Sequence, residues 1–186
     1  MQTPVGNVPR KIFFVTGVGT HKDRLVSFEA ALRAANIEVY NLIYVSSIFP
    51  PGCEIVSEED GVKELSPGQI VPCVMARIDT NEPSRRITAA VGLAQPQNTQ
   101  RYGYISEHHT YGESLEFSKE YAEDLAATML ATTLGIDFDP ADAWDERKQV
   151  FEASGQIFKT DAWGNSAEGC ESGQWTTVIA SGVFVM

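Results

Sequence analysis

The 186-residue chain has no apolar run near the ~18 residues of a membrane-crossing helix, so no membrane partner is expected. Residues 1–10 lack the apolar centre of a secretory signal and read as a loose, flexible arm, which makes the cytoplasm the expected compartment. Cysteine is scarce: Cys53, Cys73 and Cys170 are odd in number, widely spaced and never in a C-x-x-C pair. That excludes a disulfide framework and a zinc ribbon, and it predicts reduced thiols. Basic residues are few, 14 against 25 acidic ones, for a net charge of −11. A nucleic-acid partner is disfavoured because phosphate would be repelled. A cationic small molecule would be attracted, although solubility alone accounts for the same charge. Of the three histidines, His108 and His109 are adjacent. On a strand they would point to opposite faces and could not share an ion, so no metal is expected.

What is present is a soluble-protein composition, 43% apolar, in a length that suits one domain spanning residues 1–186. Lys11–Thr16 reads as a strand and Gly17–Lys22 as a Gly-rich loop. Asp23 then caps a helix to about Ala35, with Leu25, Phe28, Leu32 and Asn36 on one face. Glu38–Val45 is a second strand, and residues 50–68 a connector. Ile70–Ile78, Arg85–Ala94 and Arg101–Thr110 are further strands. Gly112–Thr133 is the longest helix, with Ser114 as its cap and Phe117, Tyr121, Leu125, Thr128 and Thr132 sharing a face. Val150–Phe158 and Trp175–Val185 are late strands, and the Gly/Ser-rich Asp161–Gly173 between them reads as a mobile loop. This order predicts a mixed α/β layered domain rather than a long βα series.

Gly17-Val18-Gly19 between a strand and a helix hints at dinucleotide binding, but Lys22 occupies the third glycine position. Glu38 begins the second strand, whereas a ribose-binding acid should end it. More informative is Asn41-Leu42-Ile43-Tyr44-Val45-Ser46-Ser47-Ile48-Phe49-Pro50-Pro51. A strand delivers a serine pair, and two prolines restrict the backbone that follows. A Ser-Ser pair alone is ordinarily turn chemistry. Held in a constrained place, the Ser47 hydroxyl can attack the Ser46 carbonyl and convert amide to ester. β-Elimination then frees the Ser46 carboxylate and leaves dehydroalanine at 47, and addition of water with loss of ammonia turns it into a pyruvoyl group. The products are a β chain (1–46) and an α chain (47–186). The conjugated ketone can form a Schiff base with an amino acid and accept the electrons left when CO2 departs.

This segment, with Leu25-Val-Ser-Phe-Glu-Ala-Ala-Leu32 and Gly103-Tyr-Ile-Ser-Glu107, resembles the pyruvoyl-dependent arginine decarboxylases, within the wider pyruvoyl histidine/arginine decarboxylase superfamily. The resemblance runs from about Phe13 to Gly135 and continues weakly beyond. It implies a four-layer αββα sandwich of mixed and antiparallel sheets, assembled as trimers of cleaved protomers or a higher multiple, with active sites between neighbouring subunits. It implies conversion of L-arginine to agmatine and CO2 through a pyruvoyl group derived from Ser47. By the same resemblance Ser46 becomes the new C-terminus, Asn41 helps orient the scissile carbonyl, Glu107 protonates the substrate carbon, and Glu29 binds the substrate guanidinium. The alternatives are an uncleaved, inactive member serving as a binding or assembly subunit, and a pyruvoyl decarboxylase for another amino acid.

The residues carry readings of their own. Glu29 lies four after Leu25 and three before Leu32, which places it in the expected apolar stripe. A carboxylate there is either a structural ion pair or a site for an always-charged, planar guanidinium. Glu107 shares a strand face with Gly103 and Ile105. Facing inward it would hold its proton at higher pH, as a donor needs; facing outward it is an ordinary strand-end glutamate. Asn41 shares a face with Ile43 and Val45, and its amide either ties a loop or serves catalysis. Trp144, Trp163 and Trp175 read as core or interface residues.

Overall fold

The computed structural model describes residues 8–137, 139, 144–145, 150–153 and 156–186. Residues 1–7 of the expected arm and the side chain of Trp144 lie outside the described residues. In chain order the elements are β1 (Lys11–His21), α1 (Arg24–Ala34), β2 (Asn41–Tyr44), β3 (Ile48–Phe49), β4 (Glu54–Ile55), α2 (Glu58–Lys63), β5 (Ile70–Thr80) and β6 (Arg86–Pro96). They continue with β7 (Gly103–Tyr111), α3 (Leu115–Thr133), β8 (Trp144–Asp145), β9 (Val150–Ala153), β10 (Gln156–Glu168) and β11 (Trp175–Val185).

The strands form two sheets. One has the order β2-β5-β11-β1-β4; its outer strands β2 and β4 run parallel to their neighbours and its centre is antiparallel. The other, β3-β7-β6-β10-β9-β8, is antiparallel throughout. The sheets face each other across Ile12, Ile78, Val91, Leu93, Ile105 and Phe184. Each such side chain, fully buried, contributes about 1.5–3 kcal/mol. The stacked rings of Phe14 and Trp163, 3.6 Å between centroids, close the same layer. Helices α1 and α2 cover the outer face of the first sheet, with Gly61 of α2 against Phe13, and α3 covers the second over Ala94 and Phe158. The architecture is therefore the four-layer αββα sandwich. Strand β11 is buried on both faces, with Val178, Ala180 and Phe184 between the sheets and Ile179, Val183 and Val185 in the helix-covered outer cluster, which is why it reads as one apolar run. No helix among the described residues is long and apolar enough to cross a membrane.

Several boundaries differ from expectation. Gly17–Lys22 is not a loop: β1 continues through it to His21, pairing residue for residue with β11. Its glycines permit contact with a helix. A Cβ on Gly19 would lie 2.3 Å from the Ala31 nitrogen and the Ser27 carbonyl oxygen. Asp161–Gly173 is not mobile either; most of it belongs to β10, which pairs with β6 from Phe158 to Glu168. The connector contains α2, capped by Ser57. The second strand is shorter than expected, beginning at Asn41.

Both long helices turn their small residues inward. In α1 the fully buried positions are Ser27 and Ala31, while Leu25 is 72% exposed. In α3 they include Ser118, Ala122, Ala126 and Ala127, while Phe117 and Tyr121 face out. A Cβ on Gly92 of β6 would sit 2.2 Å from the Ala122 carbonyl oxygen, so α3 rides directly on the strand backbone. Close approach selects small residues for the contact face and leaves the bulky ones outside. The caps are as expected: Asp23 accepts from the Leu25 N–H at 3.0 Å and Ser114 from the Phe117 N–H at 3.2 Å.

Candidate active site

The serine pair lies where the chain passes from one sheet to the other. β2 runs alongside β5, and the Val45 N–H extends that pairing by donating to the Cys73 carbonyl at 3.0 Å. β3 already belongs to the second sheet, with Ile48 opposite Tyr104. The Ser47 carbonyl accepts from the Ile105 N–H at 2.7 Å. The Ser46–Ser47 peptide is thus the span between two anchored strands. Phe49 and Pro50 are buried, and the prolines end β3 because they offer no N–H to a ladder. Ser46 is exposed and Ser47 half-buried.

The same passage opens an edge on β5. Past Cys73 that strand loses β2 as a neighbour, and β7 of the opposite sheet covers the gap with side chains. Glu107 offers its carboxylate to the Met75 N–H, and the Tyr111 hydroxyl donates to the Asp79 carbonyl at 3.2 Å. Between them on the same face stands His109. Glu107 is two residues beyond Ile105 on β7, the residue whose N–H holds the Ser47 carbonyl, so the acid lies close along β7 to the point where the serine pairs with it. Its carboxyl remains open to solvent in the protomer, while the surrounding walls remove part of its hydration. That desolvation raises its pKa above the usual glutamate range, against the opposing pull of the Met75 N–H and His109.

Two neighbours at this corner, Tyr44 and Arg77, were not singled out by the sequence. The Tyr44 hydroxyl lies 3.3 Å from the Met75 sulfur, and burial, then Cys73 and Glu107, hold its pKa up against the lowering effect of Arg77. Arg77 stacks its guanidinium on Phe28, 3.7 Å from the ring centroid. A lone arginine in the middle of an apolar strand, Val74-Met75-Ala76-Arg77-Ile78, was the available cue. Burial pushes the Cys73 thiol up to about 11, so the sulfur beside the serine pair stays protonated near neutral pH and is a poor rival nucleophile.

Asn41 and Glu29 are placed elsewhere in the protomer. Asn41 begins β2, five residues or ~16 Å of strand before Ser46. Its amide donates to the Gly68 carbonyl at 2.7 Å and ties down a loop. Glu29 is not in a buried stripe. It lies on the flank of α1, half-exposed, and is paired with Arg33 one turn on. The structure thus brings Ser46, Ser47 and Glu107 together and leaves Asn41 and Glu29 outside that group.

A nucleophilic hydroxyl adjoining a carbonyl between two anchored strands, near a carboxyl whose pKa desolvation raises, is suited to self-cleavage followed by proton donation. The comparisons with known proteins agree. The family model for pyruvoyl-dependent arginine decarboxylase matches residues 11–186. The chain is 59% identical over 178 residues to pyruvoyl-dependent arginine decarboxylase 2 of Methanosarcina mazei, covering 96% of this chain and 97% of that one. It is 58% identical over 179 residues to the pyruvoyl-dependent arginine decarboxylase of Methanococcoides burtonii, covering 96% and 99%. The chain belongs to the pyruvoyl-dependent arginine decarboxylase family. Its cofactor is accordingly a covalent pyruvoyl group, and its substrate a small molecule, an amino acid.

Proposed function

We propose that this single-domain chain cleaves itself between Ser46 and Ser47, giving β (1–46) and α (47–186) chains, and that the product decarboxylates L-arginine to agmatine. The observation that carries this is the position of the Ser46–Ser47 peptide as the crossing between sheets, next to Glu107 on β7. The residues present fit the group, because the pyruvoyl is made from Ser47's own atoms and needs no separate cradle. The Ser47 carbonyl is already fixed on the Ile105 N–H, and one side of the peptide faces solvent. The pyruvoyl group supplies a sink for the electron pair left when CO2 departs. Glu107, when protonated, would give its carboxyl proton to the substrate α-carbon. Intact-mass measurement on fresh protein tests the reading: two fragments divided at 46/47, with release of CO2 from arginine, are expected. An uncut chain that turns over arginine would overturn it.

Asn41 and Glu29 serve this site from a neighbouring protomer in our reading, Asn41 orienting the scissile carbonyl and Glu29 binding the guanidinium. The corner around Ser46 exposes Ile43, Tyr44, Val45 and Ile48. A cluster of that kind marks a contact surface. We therefore propose homotrimers of cleaved protomers, or a multiple of them, in which this corner is covered. Light scattering is expected to give three protomers or a multiple; a monomer active at high dilution would remove the shared site. Glu29 already holds one guanidinium, that of Arg33, and exchange for the substrate's requires no new chemistry. Glu29→Ala is expected to raise KM for arginine by about 10- to 100-fold, with a smaller change in kcat. An equal loss with a neutral amino acid would take Glu29 out of the guanidinium site. The three free thiols, Cys53, Cys73 and Cys170, suit a cytoplasmic setting.

A further inference from the structure

The oxygen that must accept charge during self-cleavage is the Ser46 carbonyl oxygen, and it has a partner. The Ile48 N–H donates to it at 3.0 Å. This i-to-i+2 bond closes a three-residue turn centred on Ser47. Ladder pairing does not require it. Ile48 stands opposite Tyr104, and the Ser47 carbonyl accepts from Ile105. In an antiparallel pair with that pattern, Ile48 occupies a non-hydrogen-bonded position and its N–H points away from β7. β3 is the outermost strand of its sheet, so the N–H faces no further strand. It folds back onto the carbonyl two residues earlier. The turn is held from both sides, by Val45 on Cys73 before it and by Ser47 on Ile105 after it.

We propose that the Ile48 backbone N–H is the oxyanion donor of self-cleavage. The inference rests on Ser47 as the nucleophile. As the Ser47 Oγ bonds to the Ser46 carbonyl carbon, the π pair moves onto the carbonyl oxygen, where the Ile48 N–H is already aimed. Collapse of the tetrahedral centre breaks the Ser46 C–Ser47 N bond. The hydroxyl proton ends on the Ser47 nitrogen, and an ester replaces the amide. The exchange is redox-neutral and needs no co-reactant. A donor fixed beforehand by two strands stabilises the developing charge without rearrangement. Ile48 is thereby given a role through its main chain, which no side-chain motif reveals.

Ile48→Pro deletes this N–H and leaves the β3–β7 hydrogen bonds intact, since edge strands tolerate proline where the N–H faces outward. Ile48→Val keeps the N–H and serves as control. Scission at 46/47 is followed by intact mass from the moment of purification, with and without hydroxylamine, which opens esters and spares amides. Ile48→Val is expected to cleave like the wild type. Ile48→Pro is expected to cleave about 10²- to 10³-fold more slowly and to persist as an intact, hydroxylamine-resistant chain. Wild-type cleavage by Ile48→Pro overturns the proposal. So does accumulation of a hydroxylamine-sensitive chain, because the block would then follow the acyl shift. Should the proline variant fail to fold by circular dichroism, the α-hydroxy acid analogue of isoleucine at position 48 replaces only the N–H by oxygen, and its scission at 46/47 is then read by intact mass without hydroxylamine, which would open the new 47/48 ester. The same slowing supports the proposal and an unchanged rate defeats it. If the wild-type chain shows no scission at 46/47, the assignment of Ser47 itself is wrong, an outcome distinct from a fast proline variant.

Discussion

Ser47→Ala is expected to leave the 186-residue chain whole and abolish arginine decarboxylation. Alanine has no hydroxyl to attack the Ser46 carbonyl, so the bond stays intact and no pyruvoyl group forms. The loss should reach the detection limit rather than a fraction of wild type, because it removes the source of the electron sink. The fold should survive. Among the described residues the Ser47 side chain makes no hydrogen bond, and the interactions that hold this position are main-chain: the Ser47 carbonyl on Ile105 and the Val45 N–H on Cys73. Deleting a half-exposed hydroxyl of this kind changes stability by about 0.5 kcal/mol or less. Intact mass, a carbonyl-reactive probe and a CO2-release assay on one preparation settle the matter. A whole chain with wild-type turnover would refute both the self-cleavage and the cofactor assignment.

Glu107→Gln is expected to separate cleavage from turnover. Scission at 46/47 should proceed normally, since the acid is assigned to proton delivery afterwards, and decarboxylation should fall about 10²- to 10⁴-fold. The pH dependence carries the sign. A donor works while protonated, and desolvation raises the Glu107 pKa, with the Met75 N–H and His109 pulling the other way. The wild type should therefore lose activity as pH rises through that raised value, at higher pH than an ordinary glutamate would allow. Glutamine has no proton to lose and should erase that limb from the residual rate. Unchanged activity, or an intact limb, would assign the proton to another group.

The layers and the serine pair were legible because their signals are local. Strand β11 is a run of apolar and small residues, and Ser46-Ser47 stands between an apolar strand and two prolines. The helix faces were not legible. Leu25 in α1 and Phe117 and Tyr121 in α3 look like core residues by size and spacing, yet they face outward. The contact faces are serine and alanine because a strand backbone approaches at Gly19 and Gly92. Close packing of that kind depends on two distant segments, and a single helix's periodicity contains no trace of it. The same cause misplaced Glu29, which follows the Leu25 stripe in sequence and the exposed flank in the fold. Glu107 was legible as a candidate, but its Met75 partner was not, because that N–H is free only where β2 leaves β5.

Strand β1 lies in the interior of its sheet between β11 and β4, matched with β11 along all eleven residues, and it belongs to the segment before Ser46. Once the backbone is severed, what was a central thread of one molecule becomes a separate polypeptide locked inside another. Unfolding then releases two species that must find each other again by diffusion. Recovery would depend on concentration, whereas in the uncut precursor the two segments stay tethered and need no such encounter. Maturation thereby converts a reversible fold into an assembly that persists mainly by never coming apart.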